Sequence, residues 1–109
     1  MTAILITEDN GATKIRCIDH ADDDRVCAAI SMMITATANW VIDAGGQTEA
    51  VLDPGYACVS VPNIPGADAV LRMVTLAFEQ LAEAVPGHVS LVDYRAKCRA
   101  DSDKGCATI

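Results

Sequence analysis

The chain has 109 residues, of which 51% are hydrophobic and 21% are charged. This composition is typical of one small globular domain and unlike that of a disordered chain. Fifteen Asp and Glu against eight Lys and Arg give a formal net charge of −7, which argues against nucleic-acid binding, since that binding needs cations to neutralise phosphates. Thirteen of the acids but only four of the bases lie in residues 1–93, so we expect the folded body to prefer a basic partner.

The first predicted element is a β-hairpin. Residues 3–7 are apolar and β-branched, residues 12–18 alternate more loosely, and Asn10-Gly11 lies between them. Asn-Gly is a strong hairpin signal because both residues tolerate positive φ angles.

A long uncharged segment follows at residues 26–42, after three successive aspartates at residues 22–24. Asp is a favoured N-cap and its charge suits the positive end of a helix dipole, so Asp24 is the expected N-cap. The segment is shorter than the roughly 20 apolar residues that span a bilayer. It therefore predicts a helix that is buried in the fold or covered by a partner subunit, with no membrane partner, and that ends at Gly45-Gly46.

The second half of the chain repeats the order of strand, strand and helix. Residues 48–53 and 56–61 are predicted to form a second hairpin around a Pro-Gly turn. Residues 67–85 have a clean amphipathic period and predict a second helix. Residues 89–93 predict a final strand.

The order β-β-α-β-β-α-β predicts an α+β fold, a two-layer sandwich in which both helices pack on one face of a mostly antiparallel sheet. Residues 1–93 are expected to form this single domain. Residues 94–109 are polar, mixed in charge and aperiodic, so we expect them to be a flexible C-terminal tail.

The N-terminus lacks the basic and long apolar regions of a secretory signal. The five cysteines are odd in number, irregularly spaced and without a C-x-x-C pair, which makes them a poor disulfide framework and a poor zinc site. We therefore expect a cytoplasmic protein with reduced thiols and no bound metal. A Gly-rich phosphate loop is also missing, so we expect no other cofactor. The five are Cys17, Cys27, Cys58, Cys98 and Cys106.

His20 and Cys27 are the residues with the clearest potential for chemistry. His20 closes the second predicted strand and Cys27 lies in the first turn of the next helix, so one reversal of the chain can bring the side chains together. A helix N-terminus and a neighbouring imidazolium both favour the thiolate, the nucleophilic form of cysteine. The same helix start offers free backbone N–H groups as an oxyanion site.

Two further side chains lie close to this pair in the sequence. Asp24 lies three residues before Cys27, where it could cap the helix or orient the imidazole, and Ser31 lies one helical turn after Cys27. Simpler interpretations exist for all four residues: a buried thiol, a surface histidine, an N-cap and a helix hydroxyl. The residues alone leave both interpretations open.

Two segments resemble the ribosomal-processing cysteine proteases (Prp). Residues 19–21 read Asp-His-Ala and residues 24–31 read Asp-Arg-Val-Cys-Ala-Ala-Ile-Ser; in the family, Gly-His-Ala ends a strand and Asp-x-Val-Cys-Ala-Ala-Val-Ser opens a helix. A weaker similarity continues through residues 55–56, the second helix and residues 86–90. The resemblance thus covers the predicted domain but not the tail.

The resemblance implies a dyad in which His20 is the base and Cys27 the nucleophile, with supporting roles for Asp24 and Ser31. It implies a homodimeric cysteine endopeptidase that removes an N-terminal extension from a ribosomal protein or, for members carried by phages, processes a virion protein. The chain departs from the family pattern in two places. Asp19 replaces the glycine before the histidine, and the loop between His20 and Asp24 is shorter.

Two other functions remain open. A catalytically inactive, dimeric binding or assembly protein of the same fold is suggested by Asp19 and the short loop. A redox-sensing thiol protein is suggested by five cysteines in so short a chain. The rate of thiol alkylation across pH separates the protease from the inactive protein, because a protease needs one unusually reactive cysteine. Mass spectrometry after mild peroxide tests the redox sensor, which needs a reversible disulfide or sulfenate at one site.

Overall fold

The computed structural model describes residues 1–95 of the chain. Within them, the predicted order of strands and helices is confirmed. The elements are β1 (Thr2–Asp9), β2 (Ala12–Ile18), α1 (Asp24–Asp43), β3 (Ala50–Asp53), β4 (Tyr56–Pro62), α2 (Ala67–Ala84) and β5 (Val89–Asp93).

The strands form one five-stranded sheet in the order β3-β4-β2-β1-β5. Three of the neighbouring pairs are antiparallel, and the pair of β1 and β5 is parallel, with Thr2 opposite Val89. The prediction of an α+β fold with a mostly antiparallel sheet is confirmed. The first and last strands of the domain are therefore neighbours.

The first hairpin turns as its sequence predicts. Asn10 has a φ of 52° and Gly11 a φ of 77°, which are the two positive angles of a type I′ turn. This turn sets the register in which Ile6 lies opposite Ile15.

Alternation along the strands directs one set of side chains toward the helices. Ile4, Ile6 and Ile15 on the sheet are fully buried, and they belong to one core cluster with Ile34 of α1 and Phe78 of α2. Both helices thus cover the same face of the sheet, as the fold prediction requires.

The N-cap of α1 is Asp23, so the prediction that Asp24 caps the helix was wrong. The Asp23 carboxylate accepts hydrogen bonds from the backbone N–H groups of Arg25 (2.8 Å) and Val26 (3.4 Å). The chain reverses at Asp22, whose φ is 63°, and leaves Asp23 extended with a φ of −147°. Asp24 is consequently already the first helical residue.

Among the described helices, α1 is the one that is long and apolar enough to cross a membrane. A core helix has the same length and composition, and one side of α1 packs against the sheet. The residues buried on that side are Val26, Ile30, Ile34, Thr37, Ala38 and Val41.

Strand β3 begins at Ala50, two residues later than predicted. Before it, the Thr48 hydroxyl donates to the Ser60 carbonyl (2.7 Å) and the Ser60 hydroxyl accepts from the backbone N–H of Glu49 (2.9 Å). These side-chain hydrogen bonds replace part of the backbone ladder, which explains the shorter strand.

The predicted tail, residues 94–109, falls mostly outside the described residues. Arg95 is described, and its guanidinium donates to the Asp93 carboxylate and to the Thr75 hydroxyl (3.0 Å). Contacts with the folded body therefore continue as far as Arg95, and residues 96–109 lie beyond the described part.

Candidate active site

A cleft of about 280 Å³ lies at one end of the sheet, beneath the first turns of α1. Its walls come from the starts of β1 and β4, the ends of β2 and β3, and the beginning of the helix. Four of the residues singled out in the sequence line this cleft: Asp19, His20, Cys27 and Ser31. The fold thus brings the imidazole and the thiol to one cavity from two separate elements.

The backbone that leads into His20 is held by two hydrogen bonds, one to β1 and one to the turn between β3 and β4. The Thr2 hydroxyl, fully buried at the start of β1, donates to the carbonyl of Ile18 (3.0 Å). The backbone N–H of Asp19 donates to the carbonyl of Gly55 (2.8 Å). The backbone just before His20 is therefore fixed from both neighbours of β2, by β1 on one edge and by the turn before β4 on the other.

A third hydrogen bond holds the backbone after His20. The Nδ1 atom of His88 lies 2.6 Å from the carbonyl oxygen of Ala21. Because that oxygen can only accept, Nδ1 carries the proton and donates it. His88 also accepts a hydrogen bond at its own carbonyl from the backbone N–H of Thr2 (2.9 Å), so the turn before β5 ties the first strand to the His20 segment.

The His20 imidazole packs over the turn between β3 and β4. A Cβ built at Gly55 would lie 3.4 Å from His20 Nε2, and Gly55 has a φ of 77°. The positive φ is the reason for glycine at this position, because glycine adopts it readily, whereas a Cβ at 3.4 Å would make an ordinary van der Waals contact with the ring.

Asp19 occupies a backbone position that suits glycine. Its φ is 71°, in the left-handed region that Asp enters more readily than most residues but at a cost that glycine avoids. A glycine, the residue that the resembled pattern has before its histidine, would adopt this φ at lower cost. Asp19 instead adds an acidic residue to the wall of the cleft.

Cys27 lies in the first turn of α1 and is half-buried. No hydrogen bond joins its sulfur to His20 in the described structure, although both side chains line the cleft. Catalytic hydrogen bonds often become short only once substrate is bound, so a dyad at this site would have to close on a substrate. Ser31 lies one turn further along the same side of the helix.

Three backbone N–H groups in the first turn of α1, those of residues 25–27, are already used. Those of Arg25 and Val26 donate to the Asp23 carboxylate, and that of Cys27 donates to the Asp23 carbonyl (3.0 Å). The predicted oxyanion site at these amides is therefore not free. The reason is the efficient capping residue that the run of aspartates supplies.

Asp24 does not reach the cleft. It is exposed on the first turn of α1 and its carboxylate makes no hydrogen bond within residues 1–95. The cap has moved to Asp23, which also pairs with the Arg25 side chain (3.3 Å). These hydrogen bonds from Arg25 lower the pKa of the Asp23 carboxyl.

Cys17 is a second thiol in the wall of the cleft. The sequence places it in the core, and it is indeed 4% exposed. Burial, with a smaller contribution from Cys58, raises its pKa to about 12, so the thiol stays protonated at neutral pH. Cys58 lies opposite Arg16 in the ladder and therefore on the other face of the sheet from Cys17.

Sequence analysis missed three contributors to this end of the molecule. Thr2 and His88 hold the His20 backbone, and Leu52 forms part of the cleft wall. For His88, the one available signal was its position inside the weakly similar segment at residues 86–90. Within the described residues, no three His, Cys, Asp or Glu side chains are grouped as metal ligands.

The chain matches no known family model and no curated protein. Solved structures do match it. The essential ribosomal processing protease Prp from S. aureus, in complex with a covalently linked product peptide, gives a TM-score of 0.69 at 22% identity, covering 85% of this chain and 99% of that one. Its complex with a substrate peptide gives 0.69 at 18% identity with the same coverage.

This chain shares the Prp fold. The protein SMU.848 from Streptococcus mutans also matches, with a TM-score of 0.68 and 20% identity over 85% of this chain and 93% of that one. At these identities the likeness establishes the fold, whereas activity depends on the particular residues of the site.

Proposed function

We propose that this chain is a cysteine endopeptidase that uses His20 as base and Cys27 as nucleophile. The observation that carries the proposal is the placement of both side chains on one cleft, in a fold shared with a protease solved with substrate and product peptides. Ser31 and Asp19 line the same cleft and act as supporting groups, whereas the exposed position of Asp24 gives it no role in the proposal.

The reaction is acyl transfer. His20 takes the proton from the Cys27 sulfur, and the thiolate attacks the carbonyl carbon of the scissile peptide bond. The tetrahedral intermediate collapses as His20 gives the proton to the leaving amine, so the C–N bond breaks and a thioester remains. Water, deprotonated by His20, then hydrolyses the thioester and restores the thiol.

The proposed substrate is a basic N-terminal extension of a ribosomal protein or of a phage virion protein. The similar S. aureus structures are of a ribosomal processing protease. Two carboxylates, those of Asp19 and Asp53, line the cleft and favour a cationic segment. A reduced, cytoplasmic setting is part of the proposal because the reaction needs a free thiol.

The proposal includes a homodimer that forms through α1. The outward side of this helix carries an exposed, uncharged stripe at alternating spacings of four and three residues, the repeat of a helix–helix seam. Met32 in this stripe is 73% exposed and Ile42 is 59% exposed. The stripe consists of Ala28, Met32, Thr35, Asn39 and Ile42.

Sedimentation velocity tests the dimer by comparing Met32→Glu, in the stripe, with Gln80→Glu on α2. Met32→Glu should be a monomer and Gln80→Glu a dimer, whereas a wild-type monomer would contradict the dimer.

A catalytically inactive binding or assembly protein is the second candidate. The occupied amides at the start of α1 favour it, since they remove the simplest oxyanion site. An inactive protein of this kind would bind a basic peptide in the cleft and release it unchanged.

Incubation with synthetic N-terminal extensions of ribosomal and virion proteins, followed by mass spectrometry, separates the two candidates. The protease hypothesis expects a single cut by the wild type, no cut by Cys27→Ala or His20→Ala, and a normal cut by Cys58→Ser, whose thiol lies across the sheet. Peptides that bind but stay intact would support the second candidate. Cleavage by Cys27→Ala would contradict the proposed nucleophile.

A further inference from the structure

Strand β3 is an edge of the sheet, and its pairing with β4 leaves half of its peptide groups unused. The backbone N–H of Ser60 donates to the carbonyl of Glu49 (3.0 Å). In an antiparallel pair, residues that bond to the partner strand alternate with residues that do not. Val51 and Asp53, which lie opposite Cys58 and Tyr56, therefore also direct their peptide groups toward β4.

The peptide groups of Ala50 and Leu52 consequently point away from the sheet. Leu52 lies opposite the buried Ala57, so its side chain is on the helix-covered face, where it lines the cleft together with His20 and Cys27. One residue thus joins the free edge of the sheet to the candidate site.

This edge has few of the devices that usually block strand addition. Natural proteins protect edge strands with charges, prolines or bulges. Ala50, Val51 and Leu52 carry neither charge nor proline, and all the residues of β3 are exposed. The charges at its two ends are both negative, Glu49 before the strand and Asp53 at its last position.

We propose that an extended, cationic segment of the protein substrate pairs with the free edge of β3 as a sixth strand. The peptide groups of Ala50 and Leu52 exchange backbone hydrogen bonds with alternate residues of the substrate. Basic side chains of the segment lie near Glu49 and Asp53. The inference rests on the proposed function and adds to it how the scissile bond is brought to Cys27.

Binding to the inactive Cys27→Ala variant tests the inference without the need for catalysis. Fluorescein-labelled peptides from basic N-terminal extensions of ribosomal proteins are measured by fluorescence anisotropy, and the tightest binder is N-methylated at one residue at a time. N-methylation removes one donor and blocks strand pairing. We expect Kd to rise about tenfold at every second residue of the paired segment and to change little at the residues between them.

A matched pair of edge variants tests the same contact from the protein side. Leu52→Pro removes the outward N–H and keeps the bonds to β4, as proline is tolerated at such edge positions. Leu52→Ala removes the side chain and keeps the N–H. We expect Leu52→Pro to bind the peptide about tenfold more weakly than Leu52→Ala, with circular dichroism spectra that match the wild type.

The outcomes separate this inference from the proposed function. If Kd rises at every second N-methylated residue but the wild-type chain cleaves no peptide, the strand pairing is retained and the proposed protease activity is overturned. Cleavage by the wild type with no period in the N-methyl series, or with equal binding by the two Leu52 variants, would overturn the strand pairing and retain the protease. If none of the peptides binds, the sixth strand is wrong.

Discussion

The segment that carries His20 is held by hydrogen bonds from residues far away in the chain, whereas the segment that carries Cys27 is capped by a residue at the start of its own helix. Thr2 and His88 anchor the backbone on either side of His20, from the two ends of the domain. Cys27 is placed by the Asp23 cap only four residues away. The position of the proposed base therefore depends on hydrogen bonds from residues far away in the chain, whereas the proposed nucleophile lies next to a helix cap only four residues away.

The largest effect is expected when His20 and Cys27 are replaced by alanine, one at a time and together. His20→Ala and Cys27→Ala should each reduce kcat/KM for a cleaved peptide by at least about 10³-fold, and the double variant should be no worse than either alone, because the two groups act as a unit. Single-turnover measurements by mass spectrometry check this. If the reduction of kcat/KM in the double variant equals the product of the two single reductions, the residues act independently.

The contribution of the buried Cys17 thiol to stability is tested at alkaline pH. The pKa of Cys17 is about 12 in the folded protein against an ordinary value of 9.0, so above pH 9 the unfolded chain loses a proton that the folded chain keeps. The free energy of unfolding should then fall by up to about 1.4 kcal/mol per pH unit between pH 9 and 12.

Urea unfolding at several pH values measures this slope, and Cys17→Ala provides the control. The variant should lack the component of the slope that comes from one proton. An unchanged slope in Cys17→Ala would assign the alkaline loss to other groups.

The hydrogen bond from His88 that holds the His20 segment is tested by substitution of His88. His88→Ala removes the donor to the Ala21 carbonyl and should cost about 1 kcal/mol of stability and about tenfold in kcat/KM, since the His20 backbone loses an anchor. His88→Asn should recover much of both losses, because its amide nitrogen can occupy the position of Nδ1, whereas His88→Gln should not. Equal activity of the Asn and Gln variants would contradict a positioning role.

The smallest effect is expected at Asp19. Asp19→Gly relieves a φ of 71° and should raise the free energy of unfolding by up to about 1 kcal/mol. Asp19→Ala removes the carboxylate and keeps the strained backbone, so comparing the two by thermal unfolding and peptide binding separates backbone from charge. A gain in stability from Asp19→Ala that equals the gain from Asp19→Gly would show that charge is the source.

The same difference between near and distant contacts explains what the sequence could predict. The order of elements follows from periodicity and from local signals such as Asn10-Gly11, and His20 and Cys27 stand out through motifs at the borders of those elements. The bonds from Thr2 and His88 join residues that are far apart in the chain, and nothing in their neighbourhoods indicates the partner.

Capping was predictable in kind but not in position. Three successive aspartates compete for one N-cap, and the reversal at Asp22 decides for Asp23. That shift by one residue makes Asp24 the first helical residue and leaves it exposed. A prediction from spacing alone has no means of choosing among identical side chains, because the choice depends on the backbone path of the preceding turn.

The parallel pairing of β1 with β5 has a consequence for biosynthesis. β1 can pair with β2 at once, but β5 can join β1 only after nearly the whole domain has left the ribosome, so Thr2 and His88 meet late. Contacts between residues so far apart in sequence form late and slow the folding of a small protein. A nascent or truncated chain that ends before His88 would lack the hydrogen bonds from His88 to Ala21 and from Thr2 to His88, so this part of the support around His20 forms only when synthesis of the domain is nearly complete.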